Sequence, residues 1–498
     1  MQSLKGFVGY AKPALTAAEM RAVEENSASL GIGADALMEN AGKAVADFIR
    51  KKFPKERRLL FVCGPGNNGG DGFSAAKRLA DRYDITVLLT QGDKIKKGPA
   101  LKNFKEAERT GISITEDMGL SLSKRPLIIT AIYGTGFHGS PPKPIARLTR
   151  RINSSGCTII AIDIPSGVDA TTGEAKSAIM ADYTLTMHKP KTGLLKSKYA
   201  GKVIAMDIGI PVEAELLTGP GDVHIAYEPL PERANKYTKG SVLVIGGSPE
   251  YIGAPLLAAH SALRTSSGYL TLAVPSEIAP SLSAANPVFV YKVLEGNYQK
   301  DKNAIASARF DAAVVGPGMV AGNRNCTEKL FRWFVNYTKR LKIPTVVDAG
   351  ALRLIDGARL SESFVLTPHE GEFKMMAGMD LKEKGLNERV KAAVAFARKH
   401  RCVLVLKGHE TIITDGKRLK INMAKSPALA TMGTGDVLDG IVASLAARHK
   451  DAFESAAAGV YLHSLIGDTL YRRKGAHITA QDVIDGIPNA LKSFDVTR

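Results

Sequence analysis

The chain has 498 residues, too many for one ordinary hydrophobic core, and its 45% apolar and 23% charged residues are typical of a globular protein. It has no run of eighteen apolar residues and no apolar N-terminal signal sequence, so we expect a cytoplasmic protein without a membrane partner. The formal net charge of +18 favours anionic ligands, but the basic residues are dispersed without interleaved aromatics, so we do not expect nucleic acid as a partner.

The first predicted elements are two helices and a strand. Thr16 and Glu19 have the spacing of a capping box and predict a helix that starts near Ala17. A second helix is predicted over residues 34–53. Residues 58–63, RLLFVC, have the composition of a buried strand, so helices and a strand open the chain.

A glycine-rich loop follows that strand. Residues 64–72 read GPGNNGGDG and precede a predicted helix over residues 73–79. Strand, glycine loop and helix in this order are typical of dinucleotide binding, but a hydride-transfer enzyme would also carry an acidic residue at the end of the next strand. That strand, residues 85–89, does not end in one. The paired Asn67 and Asn68 favour close contact with a polar ligand over a merely tight turn.

Strands and helices continue to alternate through the first half, which predicts a mostly parallel sheet covered on both faces. Ligands of such sheets lie outside the carboxyl ends of the strands, so the loops there should converge. Asp163 is either only a turn residue or, with Asn68 and Ser166, part of an oxygen-lined site for a cation and a polar ligand. The predicted strands are 127–132, 158–164, 183–187 and 203–208, with a helix over 144–152.

Residues 211–240 lose this periodicity and gather proline and glycine. We interpret them as a surface connection between two domains, residues 1–215 and 226–498. The second half alternates again, which predicts an α/β fold of two three-layer αβα domains. Its predicted strands are 241–245, 270–274, 312–315, 345–347, 365–367 and 402–406, with a helix over 256–264.

Two polar turns in the second half suggest a nucleotide site. Residues 432–436, MGTGD, lead directly into an apolar-periodic helix, whose unpaired N–H groups and positive dipole end can hold a phosphate. Residues 407–411, KGHET, form the second turn, after a predicted strand. Taken alone, Asp436 could be a simple helix cap. The presence of the second polar turn favours a functional role for this residue instead.

These turns, together with the glycines of residues 246–248 and 316–318, resemble the ribokinase-like fold. The resemblance implies that residues 433–435 shelter a transferred phosphoryl group and that Asp436 is the general base. In the first half, the sequences LMENAG, NNGGDG, GTG, DIPSGVD and HKP resemble the Rossmann-like epimerase domain of the bifunctional NAD(P)H-hydrate repair enzymes. The second half of those enzymes is a ribokinase-like dehydratase, so the resemblance spans nearly the whole chain.

The resemblance implies a set of site residues in each half. In the first domain, the residues implied to contact the hydrate are Asn67, Asn68, Gly69, Gly70, Asp71, Gly134, Thr135, Gly136, Phe137, His138, Gly139, Ser140 and the catalytic Asp163. The implied potassium ligands are Asn68, Thr130 and Ser166. In the second domain, the implied contacts with the hydrate are Ala254, Gly318, His369 and Asp436. The implied nucleotide-binding residues are Lys407, Gly408, His409, Glu410, Thr411, Ser426, Ala430, Thr431, Met432, Gly433, Thr434 and Gly435.

The function implied by the resemblance is metabolite repair. The first domain would interconvert the R and S hydrates of NADH and NADPH (NADHX and NADPHX), with potassium. The second would dehydrate the S form with ADP or ATP as phosphoryl donor and Mg²⁺, in a homo-oligomer. The alternatives are a ribokinase-like kinase of a small molecule with an accessory first domain, and an RNA-binding scaffold, which rests on the positive charge alone.

Two positions depart from the family pattern. Thr130 stands where the family usually has an aspartate as a third potassium ligand, so we expect weaker potassium binding. Gly350 stands where ribokinase-like relatives often carry an aspartate.

Overall fold

The computed structural model describes residues 4–320, 324–423 and 427–495. It divides into two compact units, one formed by Lys12–Ala214 and the other by the chain from Glu215 onward together with the N-terminal residues up to Ala11. Each unit is built on one mostly parallel sheet, so the predicted α/β class is confirmed. Within the described residues, no helix combines the length and the apolar character that crossing a membrane requires.

The first unit contains a seven-stranded parallel sheet. Its strands are β1 (Arg58–Cys63), β2 (Asp84–Leu89), β3 (Ser113–Thr115), β4 (Leu127–Ala131), β5 (Ile159–Ile162), β6 (Tyr183–Met187) and β7 (Lys202–Met206). Its helices are α1 (Ala17–Ser29), α2 (Ala34–Lys52), α3 (Asn67–Leu79), α4 (Gly98–Glu108) and α5 (Lys143–Asn153), and the short α6 (Glu213–Leu216) follows. The strand order is β3-β2-β1-β4-β5-β6-β7, the order of a doubly wound sheet.

Alternating residues of β1 pack on opposite faces of this sheet. Phe61 packs with Phe73 of α3, whereas Leu60 belongs to a second cluster with Ile145 of α5. Because helices cover both faces, the strands are continuous apolar runs. Helix α1 begins with the predicted capping box, in which Thr16 Oγ1 accepts the Glu19 N–H at 3.2 Å and a Glu19 carboxylate oxygen accepts the Thr16 N–H at 2.8 Å.

The second unit contains a nine-stranded sheet. Its strands are β8 (Ser241–Ile245), β9 (Tyr269–Pro275), β10 (Val290–Leu294), β11 (Ala312–Val315), β12 (Thr345–Val347), β13 (Phe364–Leu366), β14 (Val403–Leu406), β15 (Glu410–Thr414) and β16 (Leu419–Met423). Its order is β10-β9-β8-β11-β12-β13-β14-β15-β16, and β15 and β16 run antiparallel to their neighbours. Its helices are α7 (Pro220–Ala226), α8 (Ala254–Thr265), α9 (Ala279–Ala285), α10 (Tyr298–Ala306), α11 (Arg324–Leu341), α12 (Glu370–Ala377), α13 (Leu386–His400), α14 (Thr434–His449), α15 (Ala452–Lys474) and α16 (Ala480–Leu491).

The strand order reverses direction at one point in each sheet. It does so between β1 and β4 in the first unit and between β8 and β11 in the second. Loops at such a point diverge and leave a crevice outside the carboxyl ends of the strands. The polar turns singled out in the sequence follow β1, β4, β5 and, in the second unit, β8, β11 and β14, so the fold concentrates them at these edges.

Two predicted boundaries are wrong. Helix α3 begins at Asn67, not at residue 73, so most of the predicted glycine loop is helical. Residues 211–240 are not a surface connection throughout, because Val223 of α7 is fully buried in a cluster with α14, α15 and α16. In the same helix, an Asp222 carboxylate oxygen lies 2.7 Å from Lys420 Nζ of β16. Proline and glycine at the start of α7 mark a helix N-terminus that sequence reasoning mistook for a linker.

This packing predicts that a fragment covering 215–498 is more stable than one covering 226–498. The shorter fragment loses α7, and burial of Val223 alone contributes roughly 1.5–3 kcal/mol. Urea unfolding of the two fragments measures the difference, and Val223→Ala in the longer fragment isolates the contribution of that side chain. Equal urea midpoints would contradict the assignment of α7 to this core.

Candidate active sites

The first glycine loop brings two chain segments into close contact. A Cβ atom on Gly69 would lie 1.9 Å from the carbonyl oxygen of Gly64, so only glycine fits there. The segment thereby turns from β1 directly into α3, whose first N–H groups have no partner within the helix. The predicted residues Asn67, Gly70 and Asp71 therefore lie on the first two turns of a helix.

Asn68 connects this helix to the end of β4. Its Nδ2 donates to the Tyr133 carbonyl at 2.8 Å, whereas its buried Oδ1 has no hydrogen-bond partner among the described residues. Ser166, after β5, accepts the N–H groups of Ile132 and Tyr133 at 3.2 Å each. A Cβ atom on Gly134 would lie 3.2 Å from Asn68 Cβ. The structure thus brings the predicted Asn68, Gly134 and Ser166 together.

The three predicted potassium ligands differ in how readily their oxygen atoms could bind a cation. The orphaned Oδ1 of Asn68 is a ready oxygen ligand. The Ser166 hydroxyl oxygen already accepts two N–H groups, so a cation would have to displace one of them. Thr130 is fully buried, and its Oγ1 donates to the Ile160 carbonyl of β5 at 3.4 Å, which leaves its lone pairs available. The potassium site stays a prediction.

Asp163 is held by a lysine that the sequence analysis missed. The fully buried Lys191 donates to Asp163 Oδ1, to the Met187 carbonyl at 2.9 Å and to Thr186 Oγ1 at 3.3 Å. Asp163 Oδ1 also accepts the Met187 N–H at 3.1 Å, and the residue adopts a left-handed conformation with φ of 62°. Asp163 is therefore a paired, strained residue and not an ordinary turn residue. Lys191 directly follows the HKP sequence, which was the available signal.

Two further carboxyl groups, those of Asp71 and Glu24, interact electrostatically with this ion pair. Burial raises the pKa of Asp71 well above its usual range, and repulsion from Asp163 and Glu24 adds to the shift, which Lys191 partly offsets. Glu24, on α1, was not predicted as a site residue. The crevice therefore combines one ion pair with carboxyl groups that resist ionisation.

The loop over residues 134–140 forms the rim of the crevice. His138 Nδ1 lies 2.8 Å from an Asp169 carboxylate oxygen, and the rings of Tyr133 and Phe137 stack with centroids 4.6 Å apart. The other predicted members, Thr135, Gly136, Gly139 and Ser140, lie on the same loop, and all of them but Thr135 are exposed.

In the second unit, the two predicted nucleotide turns meet. Gly433 has φ of 85° and immediately precedes α14, and Thr434 Oγ1 donates to the carbonyl groups of Leu429 and Thr431 at 2.7 and 2.8 Å. A Cβ atom on Gly435 would lie 3.4 Å from Lys407 Nζ. A cationic side chain therefore points at the N-terminus of α14, where an anion is already favoured.

An aspartate that the sequence analysis missed organises this site. Lys407 Nζ donates to both carboxylate oxygens of the buried Asp348 at 3.1 Å. Burial and repulsion from Asp348 raise the pKa of Asp436 to about 7, against a smaller opposing effect of Lys407. Asp439 is fully buried, and burial together with Asp348 raises its pKa well above the usual range. Asp436 thus has the pKa that suits a general base near neutral pH.

Gly350 is explained by its contact with the neighbouring loop. A Cβ atom there would lie 2.0 Å from the Met319 carbonyl oxygen, so the position has no room for an aspartate. The acidic side chain at this strand end belongs to Asp348, the first residue after β12.

Two of the predicted contacts with the hydrate, Ala254 and Gly318, adjoin each other, and a third, His369, adjoins Lys407. A Cβ atom on Gly318 would lie 3.2 Å from Ala254 Cβ, at the start of α8. His369 forms an isolated parallel bridge with Lys407, and its Nδ1 accepts the N–H groups of Gly371 and Glu372 at 3.0 and 3.2 Å. His369 therefore caps α12 through Nδ1, while its Nε2 lies 3.5 Å from a Glu372 carboxylate oxygen.

The other residues predicted to bind the nucleotide lie in the segments 408–411 and 426–432. Glu410 and Thr411 begin β15 instead of forming a turn, and a Glu410 carboxylate oxygen accepts from Arg389 at 2.7 Å. Gly408, His409 and Ala430 are exposed, and Met432 is 93% exposed beside the glycine turn. Ser426 lies outside the described residues.

Comparison with known proteins supplies the family context. The profile of the family described as NAD(P)H-hydrate dehydratase matches residues 242–489, and that of the YjeF-related protein N-terminus matches residues 34–193. The bifunctional NAD(P)H-hydrate repair enzyme of Pyrobaculum aerophilum is 36% identical, over 96% of this chain and 98% of its own length. The corresponding enzyme of Hyperthermus butylicus is 34% identical, over 96% of this chain and 92% of its own length. The solved ADP/ATP-dependent NAD(P)H-hydrate dehydratase of Bacillus subtilis is 26% identical, with a TM-score of 0.48 over 56% of this chain and 98% of that chain.

The buried ion pair predicts a specific stability pattern. Lys191→Met should cost about 3–5 kcal/mol of unfolding free energy, because it leaves the Asp163 carboxylate without its cation. Adding Asp163→Asn should restore part of that loss, since no buried charge is then unpaired. Urea unfolding of the single and double variants measures both changes, and a double variant as unstable as the sum of both single variants would contradict the pairing.

Proposed function

The chain belongs to the family of bifunctional NAD(P)H-hydrate repair enzymes, and from this premise we propose how its residues divide the two reactions. The first unit is the epimerase, which interconverts the R and S hydrates of NADH and NADPH. The second unit is the dehydratase, which returns the S hydrate to the reduced nucleotide. Family membership decides against a small-molecule kinase and against an RNA-binding scaffold.

The observation that carries the assignment of the dehydratase site is the cluster around the N-terminus of α14. Hydroxide is a poor leaving group, and phosphorylation of the hydroxyl turns it into a good one. Asp436, with its pKa raised to about 7, would take the hydroxyl proton. The N–H groups of residues 433–435 and the ammonium group of Lys407 would stabilise the moving phosphoryl group. The pocket for the hydrate would be lined by Ala254, Gly318 and His369.

We assign ADP, or ATP, to the adjoining turns. The segments 407–411 and 430–435 converge on the anion-binding helix terminus, and their glycines let the backbone approach a phosphate. A magnesium ion would enter with the nucleotide phosphates and neutralise their charge. Met432, which is almost fully exposed at the turn, would cover a bound base.

The epimerase site needs no nucleotide. Asn67, Asn68 and Asp71 on α3, the loop 134–140 and Asp163 surround one crevice. Potassium would be held by Asn68 and by the oxygens at the ends of β4 and β5, where it would stabilise shifting negative charge. Asp163, fixed by Lys191, would orient the polar end of the hydrate.

One assay tests both assignments. A mixed R/S NADHX preparation, incubated with the protein, should recover its reduced nicotinamide absorbance only when ADP or ATP is present. Complete recovery of the mixture requires both units, whereas recovery that stops at the S fraction would contradict the epimerase assignment.

Asp436→Asn should abolish dehydration and leave epimerisation intact. The amide keeps the size of the side chain but cannot accept the hydroxyl proton, a loss worth about a hundred- to ten-thousand-fold in rate. Dehydration is followed by absorbance and epimerisation by chromatographic separation of the R and S forms. Equal loss of both activities would argue against a dedicated base.

Thr130→Asp should lower the potassium concentration that gives half-maximal epimerisation, because a carboxylate adds charge where a hydroxyl supplies only a dipole. Thr130→Val, which keeps the shape and removes the oxygen, should raise that concentration. Dehydration of the S form serves as the internal control. If neither variant shifts the potassium titration, Thr130 only packs within the sheet.

A further inference from the structure

A buried arginine packs against the segment 407–411, one of the two predicted nucleotide turns. Arg389 lies near the start of α13, and only 5% of its surface is exposed. A Cβ atom on Gly408 would lie 2.5 Å from Arg389 Nη2, so the guanidinium group lies directly against the backbone of this segment. The arginine belongs to none of the motifs singled out in the sequence.

Two glutamates from different segments share this guanidinium group. Arg389 Nη1 donates to a Glu410 carboxylate oxygen at 2.7 Å, and Nη2 donates to the Glu410 carbonyl at 3.2 Å. Nη2 also lies 3.1 Å from a Glu370 carboxylate oxygen. Glu370 is the first residue of α12 and directly follows His369, whereas Glu410 is the first residue of β15. One side chain thus joins the predicted nucleotide segment to the residue that follows a predicted hydrate contact.

The backbones of the two segments already lie side by side as they leave β13 and β14. The Lys407 N–H donates to the Pro368 carbonyl at 2.9 Å, and His369 and Lys407 form their parallel bridge. One residue further, α12 begins on one side and the chain turns towards β15 on the other. Arg389 contacts both segments where this backbone pairing has ended, so its side chain sets their spacing there.

Stability alone does not account for a charged residue at this position. Burying a charged group is costly, and apolar residues of similar volume often stabilise a protein as well as a buried ion pair does. Arg389 Nε is also buried without a hydrogen-bond partner in the described parts of the chain, which adds a desolvation cost. The side chains of Glu370 and Glu410 are 35% and 26% exposed, so water could solvate them without the arginine. The arrangement therefore favours a role in geometry.

We propose that Arg389 is a positioning residue of the dehydratase, which fixes the nucleotide segment 407–411 relative to the hydrate segment at His369. The proposal rests on the two ligands being bound as described under the proposed function. A guanidinium group presents its N–H donors in a rigid planar fork, so it can hold two acceptors in one relative orientation. Phosphoryl transfer depends on such positioning, because the phosphoryl donor and the accepting hydroxyl must lie in line.

The test measures initial rates of the full-length protein over a range of ADP and S-NADHX concentrations. Arg389→Lys keeps the charge but not the fork, so it should raise the KM for ADP and the KM for S-NADHX by about tenfold each. The kcat should stay within about twofold, because Asp436 and the N-terminus of α14 are unaltered. Unchanged KM values for both substrates would overturn the proposal.

Arg398→Lys is the matched control. Arg398 lies in the last turn of the same helix and donates to the Gly416 carbonyl through Nε at 3.3 Å and through Nη2 at 2.9 Å, between β15 and β16. The substitution changes the same chemistry away from both ligand segments and should leave both KM values as they are. Equal increases in Arg389→Lys and Arg398→Lys would show only that α13 must be held firmly, and they would also overturn the proposal.

The division between KM and kcat separates positioning from a purely structural role. A partly unfolded variant loses kcat in proportion to its folded fraction and keeps its KM values, so a fall in kcat alone would contradict the proposal. Arg389→Met, which removes the charge as well, should raise both KM values at least as far as Arg389→Lys. If urea unfolding shows that Arg389→Met is not folded, Arg389→Lys decides the outcome. If the unaltered protein shows no ADP-dependent recovery of absorbance, the proposed function fails instead.

Discussion

In each unit, a lysine donates to an aspartate at the carboxyl end of a strand, Lys191 to Asp163 and Lys407 to Asp348. A charge held away from water is tolerated when it is paired and hydrogen-bonded, so each pair fixes one negative charge in its crevice. The other carboxyl groups respond to that charge: the pKa values of Asp71 and Asp436 are both raised, with burial as the first cause and the paired aspartate as the second. In both crevices, a carboxyl group with a raised pKa thus lies under the influence of an ion pair.

The fold and the loops could be predicted from the sequence because strands in a parallel sheet are continuous apolar runs with their polar residues at one end. Glycines at 69, 134 and 433 mark close approach or a turn and are visible without a structure. Lys191 and Asp348 were missed because a lysine or acid outside a glycine motif looks like any surface charge. Only the neighbouring positions of strand ends in the folded sheets bring Lys191 to Asp163 and Lys407 to Asp348, and no local pattern encodes those contacts.

The departures at Thr130 and Gly350 illustrate two different kinds of substitution. At Gly350 the neighbouring backbone leaves no space, and Asp348 supplies the acid for the crevice, so the missing carboxylate leaves no gap in the chemistry. At Thr130 the side chain is fully buried on β4, which lies between β1 and β5, and its hydroxyl group donates to the Ile160 carbonyl. A departure from the family pattern can therefore be interpreted only when the surroundings of that position are known.

The N-terminal residues up to Ala11 belong to the second unit, with Leu4 and Phe7 buried. During synthesis, the epimerase unit can fold while this leading segment still lacks the unit it joins. At roughly 5–20 residues per second, the segment waits on the order of half a minute or longer for the rest of the chain to leave the ribosome. These residues are thus made before the epimerase unit but reach their final positions after it. In the chain, the epimerase unit resembles a domain inserted into another unit.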